Sequence, residues 1–111
     1  MRFKSSKYKN IKSKYEGKKF DSLKEKYRYM ELKTLEEKGK ISNLRTQVKY
    51  ELQPSYEIDG KNIRAINYIA DFVYELNGEE IVEDTKGYRT DVYKLKKKLF
   101  EYKYRKKIIE R

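Results

Sequence analysis

The stretch INYIADFVYELNGEEIVEDTK, residues 66–86, decides the fold. Two strand-like runs rich in β-branched and aromatic residues flank Asn77-Gly78, a dipeptide that accepts the positive φ angles of a tight hairpin turn. With that turn Leu76 faces Glu79, and cross-strand partners have numbers summing to 155. Asp71 is then expected opposite Asp84, and a longer symmetric loop on the same dipeptide keeps this register. Their Cα atoms would lie about 4.5–5.5 Å apart. Alternation places both acids on the face shared by Ile69, Val73 and Val82, with Lys86 one pleat beyond Asp84. Opposed like charges destabilise a half-buried face unless a cation or a raised pKa compensates them. An ordinary Asp/Lys surface ladder is the plain alternative; the opposing Asp71 and the apolar neighbours weigh against it.

Upstream, Pro54 ends a run, residues 45–53, in which Val48, Tyr50 and Leu52 alternate as in a strand. Before it, Asp21 and Ser22 followed by Glu25 form a capping-box pattern, with Phe20 as the preceding hydrophobic residue. Leu23, Tyr27, Met30 and Thr34, with Leu32 and Leu35 beside them, recur at helical spacing until Gly39, so a helix is expected over about 22–38. Residues 1–19 show neither period and read as a basic, loosely ordered arm ahead of a domain over 20–111.

Downstream, Thr90 is placed to cap a second helix in which Val92, Leu95, Leu99 and Tyr102 make one apolar stripe. Residues 104–110 with Ile108 and Ile109 read as a last short strand. The expected order is arm, helix, strand, hairpin, helix, strand. That is an α/β domain with a small mixed sheet flanked by helices. There is no internal repeat, Gly-rich phosphate loop or zinc-ligand spacing.

The 111 residues and 13.6 kDa suit one domain. Cysteine and histidine are both absent, which excludes disulfides, thiolate or imidazole metal sites, cysteine nucleophiles and His-based catalysis. Carboxylates and lysines are left to carry any chemistry. No membrane span or signal-peptide core is present, so an intracellular, cytoplasmic protein is expected. The net charge is +11. It is concentrated in residues 1–19 and 94–107, around an acidic centre over 51–84. Basic flanks about an acidic centre suit a protein that holds a polyanion against a cation-binding site, although a lysine run can also be no more than a solvated face.

Glu25 in the first helix, Asp71 on a strand and Asp84-Thr85-Lys86 after a hairpin resemble the PD-(D/E)xK nuclease superfamily, whose core has the same αβββαβ order. More closely, FDSLKEKYRYMELKTLEEKGKISNL, the strand containing Gln47, YIADFVYE and IVEDTKGYRTDVYKLKKKL resemble a phage-encoded branch of that superfamily catalogued as a domain of unknown function. The likeness runs from about residue 7 to the end. Ala70 stands where the first motif has proline. Of the adjacent acids Glu83 and Asp84, alternation selects Asp84, two residues from Lys86, and puts Glu83 on the other face.

The resemblance implies metal-assisted phosphodiester hydrolysis. Asp71, Asp84 and the Thr85 carbonyl would hold Mg²⁺ or Mn²⁺, with Glu25 completing the set directly or through water. Alternatively Glu25 only closes the capping box with Ser22. Lys86 would position the attacking water or stabilise developing charge. Arg89, Thr90 and Lys94 at the start of the second helix, and Lys7, Lys9, Lys12 and Lys14 in the arm, become phosphate contacts, with Tyr8 and Tyr15 able to stack on unpaired bases. With no spare domain expected for reading sequence, structure-selective cleavage of branched recombination or replication DNA is expected, with a homodimer as a possible assembly, in the cytoplasm of a bacterial host cell if phage-encoded. The alternatives are a non-catalytic nucleic-acid-binding module on the same fold, or a structural phage assembly protein.

Overall fold

The computed structural model describes residues 13–15, 17–85 and 89–111, the side chains of 13–15 excepted. The chain runs β1 (Ser13–Tyr15), β2 (Lys18–Phe20), α1 (Leu23–Glu37), β3 (Ser42–Gln53), β4 (Tyr56–Ile58), β5 (Lys61–Ile63), β6 (Ile66–Leu76), β7 (Glu79–Asp84), α2 (Asp91–Tyr104) and β8 (Ile108–Glu110). Four strands form a mixed sheet in the order β3-β6-β7-β8, and β1-β2 and β4-β5 are separate two-stranded hairpins. Stripped of those hairpins, the order is the αβββαβ core expected from the sequence.

The central hairpin forms as its turn chemistry dictates. Asn77 and Gly78 have φ of 51° and 82°, and Leu76 pairs with Glu79. The ladder then runs to Phe72–Glu83, all at the expected register. It stops one pair short of Asp71 and Asp84. Asp84 instead pairs with Glu110 of β8, which lies parallel to β7 after the α2 crossover.

Alternation along β6 is not uniform. Tyr68, Ala70, Val73 and Val82 belong to a core cluster with Tyr93, Phe100 and Ile108 under α2. Phe72 and Tyr74 belong to a second cluster with Phe20, Tyr29, Leu32 and Ile41 under α1. Ala70 and Phe72, both even-numbered, therefore face opposite layers, and the pleat resets at Asp71. Along β3 the same change separates Leu44, on the α1 side, from Val48, Tyr50 and Leu52, on the α2 side. The reset falls at Gln47, whose φ of 52° is left-handed, a conformation rare for a non-glycine residue. Gln47 and Asp71 occupy corresponding places, because Thr46–Phe72 and Val48–Ala70 pair on either side of them. Ile69, expected on the buried face, is 50% exposed.

Both helix faces differ from the expected ones. In α1 the buried residues are Glu25, Tyr29 and Leu32, whereas Leu23 and Tyr27 are exposed. In α2 Tyr93 and Phe100 are buried, and Val92, Leu95, Leu99 and Tyr102 face outward. The physical reason is ring packing on the sheet. Tyr50 meets Phe100 at 4.9 Å and Tyr104 at 5.2 Å between centroids, and Tyr68 meets Phe100 at 5.3 Å. Aromatic rings cover more sheet per residue than the aliphatic stripe could.

β1 and the first two residues of β2, expected within the loose arm over 1–19, take part in an antiparallel pairing, and Phe20 at the end of β2 is buried against Tyr29 at 5.3 Å. That anchor packs β2 against α1. The β4-β5 hairpin turns on Asp59-Gly60, with φ of 51° and 76°, a hairpin signal of the same kind as Asn77-Gly78. No helix among the described residues is long and apolar enough to cross a membrane.

Candidate active site

The start of α1 places the first carboxylate. Ser22 is the N-cap and its Oγ accepts from the Glu25 backbone N–H at 3.1 Å, half of a capping box. The Glu25 carboxylate does not complete that box with Ser22. It accepts a hydrogen bond from the Asp21 backbone and one from Gln47 Nε2 at 3.2 Å. Glu25 is 5% exposed, and burial pushes its pKa up to about 7, with Asp71, Asp21 and Asp84 adding to the rise and the Asp21 backbone hydrogen bond opposing it.

The reset at Gln47 and Asp71 brings these two residues to Glu25. The Gln47 amide spans both acids, 3.2 Å from Glu25 Oε2 and 3.5 Å from Asp71 Oδ1. The other oxygen of Asp71 accepts from the Thr85 backbone N–H at 2.9 Å and from Thr85 Oγ1 at 2.8 Å. Asp84, fully buried at the end of β7, accepts from the Tyr68 hydroxyl at 2.5 Å. Burial and the Asp84 charge raise the Tyr68 pKa well above the ordinary tyrosine range, so the phenol stays protonated and donates. Glu25, Asp71 and Asp84, contributed by α1, β6 and β7, are thus near enough to act on one another electrostatically. Among the described residues no three acidic side chains are already gathered as a metal-ligating set. Thr85 and Gln47 hold Asp71, and Tyr68 holds Asp84.

Glu83 lies on the opposite face from Asp84, as alternation requires. Arg28 donates to it through Nε at 2.9 Å and through Nη2 at 2.7 Å, and the Tyr74 hydroxyl donates as well. Although burial alone would raise its pKa, Arg28, Tyr74 and Arg111 hold the Glu83 carboxyl below its usual value. The adjacent acids therefore have separate duties, one locked into an ion pair between α1 and the sheet, the other turned toward the carboxylate cluster.

The remaining expected site residues fall as follows. Lys86, Lys7, Lys9 and Lys12 lie outside the described residues, as does the Lys14 side chain, whose backbone pairs with Lys19. Thr90 caps α2, its Oγ accepting from the Tyr93 N–H at 3.0 Å. Arg89, about half exposed, donates to Glu110 at 2.8 Å. Glu110 also accepts from the Tyr93 hydroxyl at 2.7 Å and from Lys97 at 3.1 Å. These partners, Arg89 foremost, depress its pKa to about 2. Lys94 is exposed.

Reading the residues alone assigned no role to Gln47 or Tyr68. A polar Gln amid the alternation of β3 was the available signal for the first. Nothing set Tyr68 apart from the other tyrosines. A cleft of about 210 Å³ opens beside Glu25 and Gln47, with Lys18 and Lys19 on its wall.

A family model described as a protein of unknown function, DUF1064, matches residues 5–110. The chain belongs to the DUF1064 family. The match spans both helices, every strand and all three acids of the cluster, so the carboxylate site lies wholly within the DUF1064 region. No curated protein and no solved structure matches this DUF1064 chain.

Proposed function

We propose that this chain is a divalent-metal-dependent DNA endonuclease of the PD-(D/E)xK type, selective for branched DNA. The observation that carries the reading is the bridge that Gln47 Nε2 makes between the buried Glu25 carboxylate at 3.2 Å and Asp71 at 3.5 Å, with Asp84 buried at the adjoining end of β7. Burial raises the Glu25 pKa, Asp71 and Asp84 add to the rise, and a buried carboxyl perturbed by neighbouring acids marks a candidate functional site. The αβββαβ order, the Asp84-Thr85-Lys86 sequence and the excess of positive charge agree with this reading.

The donor set suits a hard divalent ion such as Mg²⁺ or Mn²⁺. Every side chain in it offers oxygen, and the cluster carries surplus negative charge. Asp71, Asp84 and the Thr85 carbonyl would hold the ion, with Glu25 completing the set directly or through water. When bound, such an ion polarises the phosphate and acidifies water at the site. The protein's own residues do the rest. Gln47 fixes Glu25 and Asp71 relative to each other. Tyr68, held protonated, donates to Asp84 and fixes its orientation. Lys86 would position the attacking water or stabilise the charge developing on the phosphate, an interaction stronger in the transition state than in the ground state. Lys18 and Lys19, on the cleft beside Glu25, take the phosphates of the substrate backbone.

Purified protein incubated with single-stranded, duplex, flap and four-way DNA, in Mg²⁺ and in EDTA, tests this function. Metal-dependent cleavage of the branched substrates is expected. Binding without cleavage in any divalent metal would instead favour the non-catalytic nucleic-acid-binding module.

A further inference from the structure

One face of α1 carries chemistry that neither the core nor the carboxylate cluster uses. Lys24, Tyr27, Arg28 and Glu31 follow one another at helical spacing and, with Thr85 and Arg111 from the ends of β7 and β8, line a groove of about 380 Å³. Tyr27 is 57% exposed, while Tyr29, two residues on, is 4% exposed in the core. Arg28 is shared between Glu83 and Glu31, and Arg111 lies 3.5 Å from the buried Glu83. Three cations thus meet two carboxylates, and Lys24 and the half-exposed Arg111 leave the groove with net positive charge. Its wall is continuous with the carboxylate site, because Thr85 both lines the groove and donates to Asp71.

An exposed aromatic ring flanked by cations suits a single nucleic-acid strand. Phosphates meet the cations, while an unpaired base stacks on the ring, a contact that a base paired within a duplex cannot make. We propose that this groove holds the unpaired strand of a branched DNA, with Lys24 and Arg111 on its phosphates and one base stacked on Tyr27. The inference rests on the nuclease reading and names the feature of the substrate that the enzyme selects.

The test measures binding of a flap DNA and of a fully paired duplex to the full chain, by fluorescence anisotropy in EDTA. Wild type, Tyr27→Ala and Tyr27→Phe are compared. Tyr27→Ala should weaken flap binding by roughly fivefold or more, the loss expected of one base–aromatic stack, and leave duplex binding unchanged. Tyr27→Phe keeps the ring and should stay within about twofold of wild type on both. Because Tyr27 is outside the core, unchanged melting temperatures should accompany these effects. Equal losses on flap and duplex, or no loss on the flap, would overturn the proposal. Cleavage in Mg²⁺ separates the two readings. A wild-type protein that shows the Tyr27-dependent flap preference but cuts nothing keeps the groove and ends the nuclease reading. One that cuts flap DNA equally well with and without Tyr27, and binds it equally, ends the groove alone.

Discussion

The substitution Glu25→Gln removes a charge whose burial the fold resists. In the folded protein this carboxyl ionises at about 7 against an ordinary value of 4.5. A raised carboxyl pKa means that the native state binds more protons than the unfolded chain between these values, so stability must fall as pH rises through that window. The difference is worth about 3 kcal/mol at roughly 1.4 kcal/mol per pH unit. It is fully felt above pH 7 and absent below about pH 4.5. The amide in the variant keeps an oxygen for the Gln47 side chain and the Asp21 N–H but cannot ionise. The variant should therefore be about as stable as wild type near pH 5 and roughly 3 kcal/mol more stable at pH 8, a rise in melting temperature of roughly 10 °C or more for a chain of this size. Urea denaturation followed by circular dichroism at several pH values measures this directly. Glu83 and Glu110, whose pKa values are depressed, lose their contribution only as pH falls below the ordinary carboxylate range, so their effect does not overlap this window. A variant that parallels wild type from pH 5 to pH 8 would refute the account of the cluster as repelling acids.

Arg28→Ala leaves the Glu83 carboxylate buried with its bidentate partner gone and should cost about 3–5 kcal/mol in urea denaturation. Phe100→Ala should cost about 3–5 kcal/mol, whereas Leu95→Ser on the outward face of α2 should change stability by less than about 0.5 kcal/mol. Equal losses for the two would mean that the outward stripe is packed. Lys86→Ala should slow cleavage of branched DNA by about 10² or more while DNA binding stays near wild type, and a wild-type rate would remove Lys86 from the chemistry.

The hairpin was legible because its signal is local. Asn77-Gly78 can satisfy a turn that few other dipeptides can, and the register follows from it by counting. Asp59-Gly60 carried the same signal over a shorter alternation. The helix caps at Ser22 and Thr90 were legible for the same reason. Helix facing was not, and the cause differs between the two helices. In α1 the buried face includes Glu25, so a polar residue interrupts the apolar period, and Leu23, Tyr27 and Met30 offer a competing stripe. In α2 two apolar stripes coexist, and the choice between them depends on the rings of Tyr50 and Tyr68 on the sheet.

The three acids were identifiable from their order along the chain. Their arrangement was not, because a pleat reset is invisible to strict alternation. Counting residues placed Asp71 directly against Asp84 on one uniform face. The left-handed Gln47 lets Ala70 and Phe72 face opposite layers and turns Asp71 toward Thr85 and Glu25's partner amide. Glu83 and Asp84 show alternation working where no reset intervenes.

The most direct measurement is single-turnover cleavage of flap DNA in Mg²⁺ by wild type and by Asp84→Asn, with both proteins shown to be folded by circular dichroism. The amide keeps the size of the side chain and can still accept the Tyr68 hydrogen bond, but removes the anionic oxygen that would ligate metal. Cleavage by wild type and its loss in the folded Asp84→Asn variant are the predicted result; equal cleavage by both proteins, or none by wild type, would contradict a metal-dependent nuclease built on Glu25, Asp71 and Asp84.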